Sequence, residues 1–139
     1  MLQGIHTALV TPFDGDMAVD TAALRRSVAH QIQAGIGGLC PLGGTGEPLS
    51  QTLDEHRLVL DTVLEAANGR VPVTAGCLRA GHADVIEMGK HAARAGATSI
   101  MVVPPYFYGA RPRDIKRHFS AIADAVDLPI VFFLSLIHI

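Results

Sequence analysis

Three glycines and a threonine stand together in residues 43–47, which read Gly-Gly-Thr-Gly-Glu. Glycine lets a backbone turn tightly and present its amide N–H groups. Such amides, together with the hydroxyl of Thr45, can bind a carboxylate or a phosphate. No Gly-Lys-Ser or Gly-Lys-Thr follows, so the segment is not a Walker A loop. A tight turn between a strand and a helix, with no ligand, is the alternative.

Two further segments end apolar runs with residues that could contact a ligand. Residues 11–13 (Thr-Pro-Phe) close the first run, and residues 104–108 (Pro-Pro-Tyr-Phe-Tyr) close the fourth. The carboxyl ends of parallel strands form the ligand face of α/β folds. We therefore expect Thr11, Tyr106 and Phe107 to lie near a site, although packing at a rim would explain the aromatic residues equally well.

Other residues argue against several kinds of chemistry. The seven histidines form no His-Glu-x-x-His pair and the cysteines form no Cys-x-x-Cys, so we expect no metal site. No Gly-x-Ser-x-Gly elbow is present. Cys40 lies in an apolar run and is interpreted as packing, and Cys77 is expected to follow the third strand. Most of the histidines fall on predicted helix faces and are expected to be solvated. The only lysines, Lys90 and Lys116, fall on predicted helices, where a nucleophilic, desolvated amine is not expected.

The elements that must position these residues alternate between short apolar runs and segments of helical period. Asp20 is the predicted N-cap of the first helix, Thr52 and Glu55 form a capping-box pattern for the second, and Gly96 is the predicted C-cap of the third. The runs are continuous rather than alternating, which predicts a parallel sheet buried on both faces. The runs are residues 5–10, 38–42, 71–75, 99–103 and 129–133.

Two architectures fit four β-α units followed by a fifth strand. One is an open doubly wound sheet, which would be complete at this length. The other is the first part of an eight-stranded barrel, which needs about 250 residues. The pattern alone slightly favours the open sheet, and the length allows one domain.

Composition limits the class of protein. The chain has 139 residues, with 11 Lys plus Arg and 13 Asp plus Glu, giving a net charge of −2. This near-balance argues against a nucleic-acid or anionic-membrane partner. No apolar run reaches the length of a membrane span and no secretory leader opens the chain. With only two cysteines, we expect a cytoplasmic protein.

Six motifs occurring in order resemble one known family. They are residues 7–13, 43–50, 54–57, 71–76, 104–106 and 128–131. Their sequence and spacing are similar to the dihydrodipicolinate synthase / N-acetylneuraminate lyase family of pyruvate-dependent class I aldolases, over about residues 3–133. The resemblance implies a (β/α)₈ TIM barrel, here truncated to about four and a half βα units, with residues 1–133 as the N-terminal half of one domain. It reverses the preference for an open sheet.

The resemblance also implies a mechanism. A lysine on strand six would form an imine with pyruvate or a related 2-oxo acid, so that no cofactor is needed. Thr45 would hold the carboxylate, Gly44 and Gly46 would let the backbone approach it, and Ala8 would line the floor of the pocket. The partner is a small 2-oxo acid, and the family implies a homo-oligomer, a tetramer by resemblance.

Three departures from the synthase branch leave the reaction open. Gly44 replaces a second hydroxyl residue, Phe107 replaces a relay tyrosine, and Phe133 stands at the position of the catalytic tyrosine. A phenyl ring cannot shuttle protons. The first hypothesis is a lyase resembling 4-hydroxy-tetrahydrodipicolinate synthase, and the alternative is a 2-oxo-3-deoxy sugar-acid dehydratase or aldolase. A non-enzymatic α/β domain that binds a small anion is the alternative from another class.

The last six residues, 134–139, read Leu-Ser-Leu-Ile-His-Ile and resemble a translated sequencing adapter. We interpret them as a non-native tail that interrupts a longer protein, here called the parent protein. A true extension of the fifth strand is the alternative. The strand-six lysine is absent from the 139 residues, and the fragment itself is expected to be inactive.

Overall fold

The structure, a computed structural model, describes residues 2–106 and 109–134. Within them, five short strands alternate with four helices, and two short 3₁₀ turns, Gly44–Gly46 and Pro48–Ser50, follow the second strand. The elements are β1 His6–Ala8, α1 Thr21–Gln33, β2 Gly38–Cys40, α2 Leu53–Ala67, β3 Thr74–Cys77, α3 His82–Ala95, β4 Ser99–Val102, α4 Pro112–Ala125 and β5 Ile130–Phe132.

The helices begin and end where their capping residues predict. The carboxylate of Asp20 accepts a hydrogen bond from the Ala23 N–H at 2.8 Å at the start of α1. At the start of α2, the Thr52 hydroxyl accepts from the Glu55 N–H at 3.2 Å, and the Glu55 carboxylate accepts from the Thr52 N–H at 2.8 Å. Gly96 follows α3 with a φ of 93°. The predicted caps are confirmed.

All strand pairs are parallel and follow the order of the chain. β1 pairs with β2, and β3, β4 and β5 form a second ladder. A bridge between Leu39 and Val73 joins the two ladders, so the strand order is 1-2-3-4-5. Each helix packs against the next along the chain. This is the winding of a barrel, since a doubly wound sheet reverses direction and places helices on both faces. The preference for an open sheet drawn from pattern alone is wrong.

The core lies between the sheet and the layer of helices. Leu24 and Val28 of α1, and Ile122 of α4, are fully buried there. The third strand begins at Thr74, three residues after the first residue of the apolar run, because Val71 lies in a bend and Val73 forms only the single bridge to Leu39.

Among the described residues, no helix is both long and apolar enough to cross a membrane.

Candidate active site

A cavity of about 330 Å³ runs along the inner face of the sheet and reaches the carboxyl ends of the strands at residues 43–45 and Phe133. Every strand contributes to its lining, with residues that include Ala8, Cys40, Thr74, Met101 and Val131. The registers explain this arrangement, because Ala8 pairs with Cys40 and Met101 pairs with Val131. Ala8, which was expected at the floor of a pocket, is one of the lining residues, and its role toward a ligand stays a prediction.

The glycine-rich segment forms one wall of this cavity. Gly43, Gly44 and Thr45 line it, and residues 44–46 make a single 3₁₀ turn closed by a 2.8 Å bond from the Gly46 N–H to the Gly43 carbonyl. Within the described residues, the N–H groups of Gly44 and Thr45 have no hydrogen-bond partner. The turn therefore places two free amides and one hydroxyl beside an apolar cavity, an arrangement suited to a carboxylate.

Side chains behind the turn hold it in place. The Gly46 carbonyl accepts hydrogen bonds from the Thr11 hydroxyl at 2.8 Å and from the Gln51 side-chain amide at 2.7 Å. A Cβ on Gly46 would lie 3.0 Å from the Leu9 carbonyl oxygen, so the backbone approaches β1 closely here. Gly46, the last residue of the turn, and Thr11, which holds it, are not among the residues that line the cavity.

The segment that leads into the turn, residues 41–43, also approaches β3, at a second glycine. A Cβ on Gly76 would lie 1.9 Å from the Leu42 carbonyl oxygen, and the Gly76 N–H donates to the Pro41 carbonyl at 3.0 Å. On the other side of the strand, Nε2 of His56 lies 2.8 Å from the Gly76 carbonyl oxygen. The strand, the turn and α2 are therefore fixed to one another at one residue.

His56 is buried, although its place on a helix predicted a solvated side chain; His118 is likewise buried. Burial lowers the pKa of the His56 imidazole to about 4, against a smaller opposing effect of the hydrogen bond to Gly76. The ring is neutral at pH 7, so Nε2 carries the proton and donates to that carbonyl.

This burial predicts a pH dependence of stability. Between about pH 6.5 and pH 4 the unfolded chain binds a proton at His56 that the folded chain does not, so stability falls as the pH falls through this range. Over this pH range, we expect His56 to account for a loss of about 3 kcal/mol in the free energy of unfolding. Urea unfolding of the chain at pH 7 and pH 4.5, followed by circular dichroism, measures this loss.

His30→Asn, on the exposed face of α1, is the matched control and should keep the dependence of the unfolding free energy on pH. His56→Asn should remove the part of that dependence that comes from His56. An equal slope in both variants would contradict the assignment to His56.

Neither cysteine is suited to be a nucleophile. Burial raises the pKa of the Cys40 thiol to about 11 and that of the Cys77 thiol to about 12, so both remain protonated at neutral pH. Cys77 ends β3 rather than following it. Among the described residues, no three histidine, cysteine, aspartate or glutamate side chains could together hold a metal ion. Lys90 and Lys116 are exposed on α3 and α4.

The aromatic candidates do not share one location. Phe133 lines the cavity, is 42% exposed, and its N–H donates to the Val102 carbonyl at 2.9 Å. Tyr106 is 53% exposed and is not among the residues that line the cavity. Phe107 lies outside the described residues.

Sequence reasoning missed several residues of this region. Gln51 is buried behind the turn, and Arg79 donates to the backbone carbonyl of Gln51 at 2.6 Å and to that of Leu49 at 3.2 Å. His6 also lines the cavity, with its ring where a side chain on Gly38 would lie. A glutamine one residue before a helix cap carries no motif, and the missing side chain of Gly38 was the only signal for His6.

A larger cleft of about 710 Å³ lies at the opposite, amino-terminal end of the strands, between the ends of α2 and α3. Its two acidic side chains already have partners. Asp61 lies 2.8 Å from His91, and Glu65 lies 2.6 Å from Arg25. Since the ligand face of a parallel barrel is at the carboxyl ends of its strands, the smaller cavity is the candidate active site.

A sequential parallel sheet with helices outside it, and a cavity at the carboxyl ends of its strands, defines the first half of a (β/α)₈ barrel. The sequence profile of the dihydrodipicolinate synthetase family matches residues 1–134. The chain belongs to this family.

Similar proteins agree with this assignment. The 4-hydroxy-tetrahydrodipicolinate synthase of Brucella abortus biovar 1 is 43% identical over 133 residues, which are 96% of this chain and 45% of that protein. The corresponding synthase of Pelobacter propionicus is 44% identical, over 96% of this chain and 46% of its own length. The chain thus spans about half the length of the curated relatives it matches.

Solved structures match over the same half. Dihydrodipicolinate synthase from Acinetobacter baumannii, complexed with pyruvate, superposes with a TM-score of 0.94 at 32% identity, covering 97% of this chain and 46% of that one. YagE from Escherichia coli K12, also in complex with pyruvate, gives 0.89 at 30% identity, covering 93% and 43%.

Proposed function

We propose that the chain is the first half of a Schiff-base-forming lyase that acts on pyruvate or a related 2-oxo acid. The observation that carries the proposal is the pair of free amides of Gly44 and Thr45, with the Thr45 hydroxyl, beside a cavity at the carboxyl ends of the strands. Two similar solved proteins were crystallised with pyruvate.

In the proposed reaction, these three donors hold the carboxylate of the 2-oxo acid, and the apolar floor around Ala8 and Val131 excludes water from its remaining atoms. The ketone carbon condenses with a lysine amine and loses water. The resulting imine withdraws electrons, so that a carbon–carbon bond next to it can form or break. The lysine belongs to the second half of the parent protein, since Lys90 and Lys116 lie on exposed helix surfaces.

The proposal includes the organisation of the chain. Residues 1–133 form the N-terminal half of one barrel, and residues 134–139 are a non-native tail. The parent protein is a cytoplasmic homo-oligomer, a tetramer by resemblance to its family. The chain alone lacks the nucleophile and is inactive.

A second candidate reaction is supported by the shape of the cavity. A Cβ on Gly44 would meet no other atom within 4 Å, so the wall beside Thr45 is open. Such space suits a 2-oxo acid with a longer substituent, as in a dehydratase or aldolase of 2-oxo-3-deoxy sugar acids. Release of pyruvate from a sugar acid, compared with consumption of an aldehyde together with pyruvate, distinguishes the two reactions. Carboxylate binding without any imine would favour the non-enzymatic anion-binding domain.

The first test is a long DNA read across the codons for residues 128–139 and onward. We expect the frame to continue beyond residue 133 into a second half with a lysine at the end of the next strand. A genuine stop codon after Ile139 would refute the lyase proposal.

The second test is borohydride trapping with pyruvate, read by mass spectrometry. The parent protein is expected to gain one reduced pyruvate adduct on that lysine, whereas the 139-residue chain gains none at Lys90 or Lys116. A parent protein that forms no adduct, or a chain that forms one, would contradict the proposal.

A further inference from the structure

Gln51 occupies an unusual position for a buried polar residue. It lies one residue before Thr52, the cap of α2, and its side chain is 4% exposed. Its amide nitrogen donates to the Gly46 carbonyl at 2.7 Å and to the Thr11 hydroxyl oxygen at 3.2 Å. Its other terminal atom, Oε1, is buried without a hydrogen-bond partner among the described residues.

That unpartnered oxygen argues against a purely stabilising role. A buried acceptor without a donor costs free energy, and an apolar side chain of similar size would avoid the cost. The feature that distinguishes glutamine from an apolar residue here is therefore the contact that its nitrogen makes. The nitrogen acts on one atom of the glycine-rich turn, the Gly46 carbonyl oxygen, together with Thr11.

Anchoring that carbonyl orients the whole turn. Residues 44–46 form one 3₁₀ turn closed from the Gly46 N–H to the Gly43 carbonyl, so fixing the Gly46 carbonyl restricts the backbone of the whole turn. The restricted backbone includes the free amides of Gly44 and Thr45, two residues that line the cavity. A preorganised set of donors binds an anion more tightly than one that must first be ordered.

The anchor is itself held by a neighbouring element. Arg79, after β3, donates to the backbone carbonyl of Gln51 at 2.6 Å and to that of Leu49 at 3.2 Å. Arg79 therefore ties the backbone of Gln51 to the segment that directly follows β3. The chain of contacts runs from Arg79 through Gln51 and Gly46 to the free amides.

We infer that Gln51 is a positioning residue for the carboxylate of the 2-oxo acid: its side-chain nitrogen holds the Gly46 carbonyl and thereby keeps the Gly44 and Thr45 amides directed at the cavity. The inference rests on the proposed function, since the ligand is the same 2-oxo acid.

The test is Gln51→Met in the parent protein, which keeps the length of the side chain and removes the donor. We expect the KM for pyruvate to rise about tenfold, the strength of one hydrogen bond, while kcat changes less than about twofold. The melting temperature is expected to stay level or rise, since the unpartnered oxygen is removed. Gln33→Met, the same change on the exposed end of α1, is the control and should alter none of these values.

Amide hydrogen exchange supplies a second readout. In Gln51→Met, the amides of Gly46 and Glu47, whose hydrogen bonds close the turn, should exchange faster, while those of β4 keep their protection. A lower melting temperature and kcat with an unchanged KM would show a structural role and overturn the inference. An unmodified wild-type parent in borohydride trapping would refute the proposed function instead, whereas a trapped imine with an unchanged KM in Gln51→Met would refute only the role of Gln51.

Discussion

Replacing Gly76 with alanine is expected to destabilise the chain by at least about 3 kcal/mol, at the upper end of what overpacking a core costs. The new Cβ would lie 1.9 Å from the Leu42 carbonyl oxygen and 2.9 Å from the Gly43 nitrogen. Both atoms are backbone, so no side chain can rotate away. Relief requires the turn to leave β3, which breaks the bond from the Gly76 N–H to the Pro41 carbonyl.

The midpoint of urea unfolding measures this loss. Gly15→Ala is the matched control, because a Cβ there would meet no atom within 4 Å and the backbone is not in the left-handed region. That variant is expected to unfold within about 0.5 kcal/mol of the wild type. A Gly76→Ala chain with the wild-type midpoint would show that the turn and the strand are not in this contact.

Replacing Phe133 with tyrosine in the parent protein is expected to raise kcat by about 10²-fold or more, the usual contribution of a positioned acid–base group. Phe133 lines the cavity at the end of β5, and its phenyl ring offers no proton. The KM for pyruvate should change little, because the donors proposed for the carboxylate belong to the glycine-rich turn and not to Phe133.

Phe132→Tyr is the control for this change. Its ring is 58% exposed and packs against Phe119, with ring centroids 4.3 Å apart, outside the cavity. Steady-state kinetics of both variants decide the matter, and an equal effect of the two would refute a proton-transfer role at position 133. If the DNA read shows a tyrosine at position 133, the test is the opposite substitution, tyrosine to phenylalanine. That substitution should lower kcat by the same factor.

Much of the secondary structure could be predicted from signals in a few consecutive residues. The caps at Asp20, Thr52 and Gly96 act through neighbouring backbone groups, so they can be read from a few consecutive residues, and all three are confirmed. The choice between barrel and open sheet depends on which strands pair. Apolar runs of similar length do not show which strands pair. The pattern alone therefore favoured the wrong architecture, and only the resemblance to a known family corrected it.

The site, too, contains residues that can be recognised from local sequence and residues whose roles depend on contacts with distant parts of the chain. Thr45 and Gly44 could be selected from sequence because glycines next to a hydroxyl residue form a recognisable donor pattern. Gln51 and His56 could not, because their roles depend on Gly46 and Gly76, which the fold brings to them. His56 lies in a polar stretch, Asp-Glu-His-Arg, whose pattern predicts a solvated helix surface. Its burial follows from where α2 meets β3.

The order of the strands has a consequence for how the parent protein is made. Translation delivers β1 to β5 first, and within the described residues neither the outer side of β1 nor that of β5 has a strand beside it. At ribosomal speed, the rest of a chain as long as its relatives takes on the order of 10 s to follow. For that interval Ile5 and Phe132, 77% and 58% exposed, present apolar side chains at open edges. Until the second half follows, a nascent chain with this strand order therefore has two unpaired strand edges at which another chain could pair.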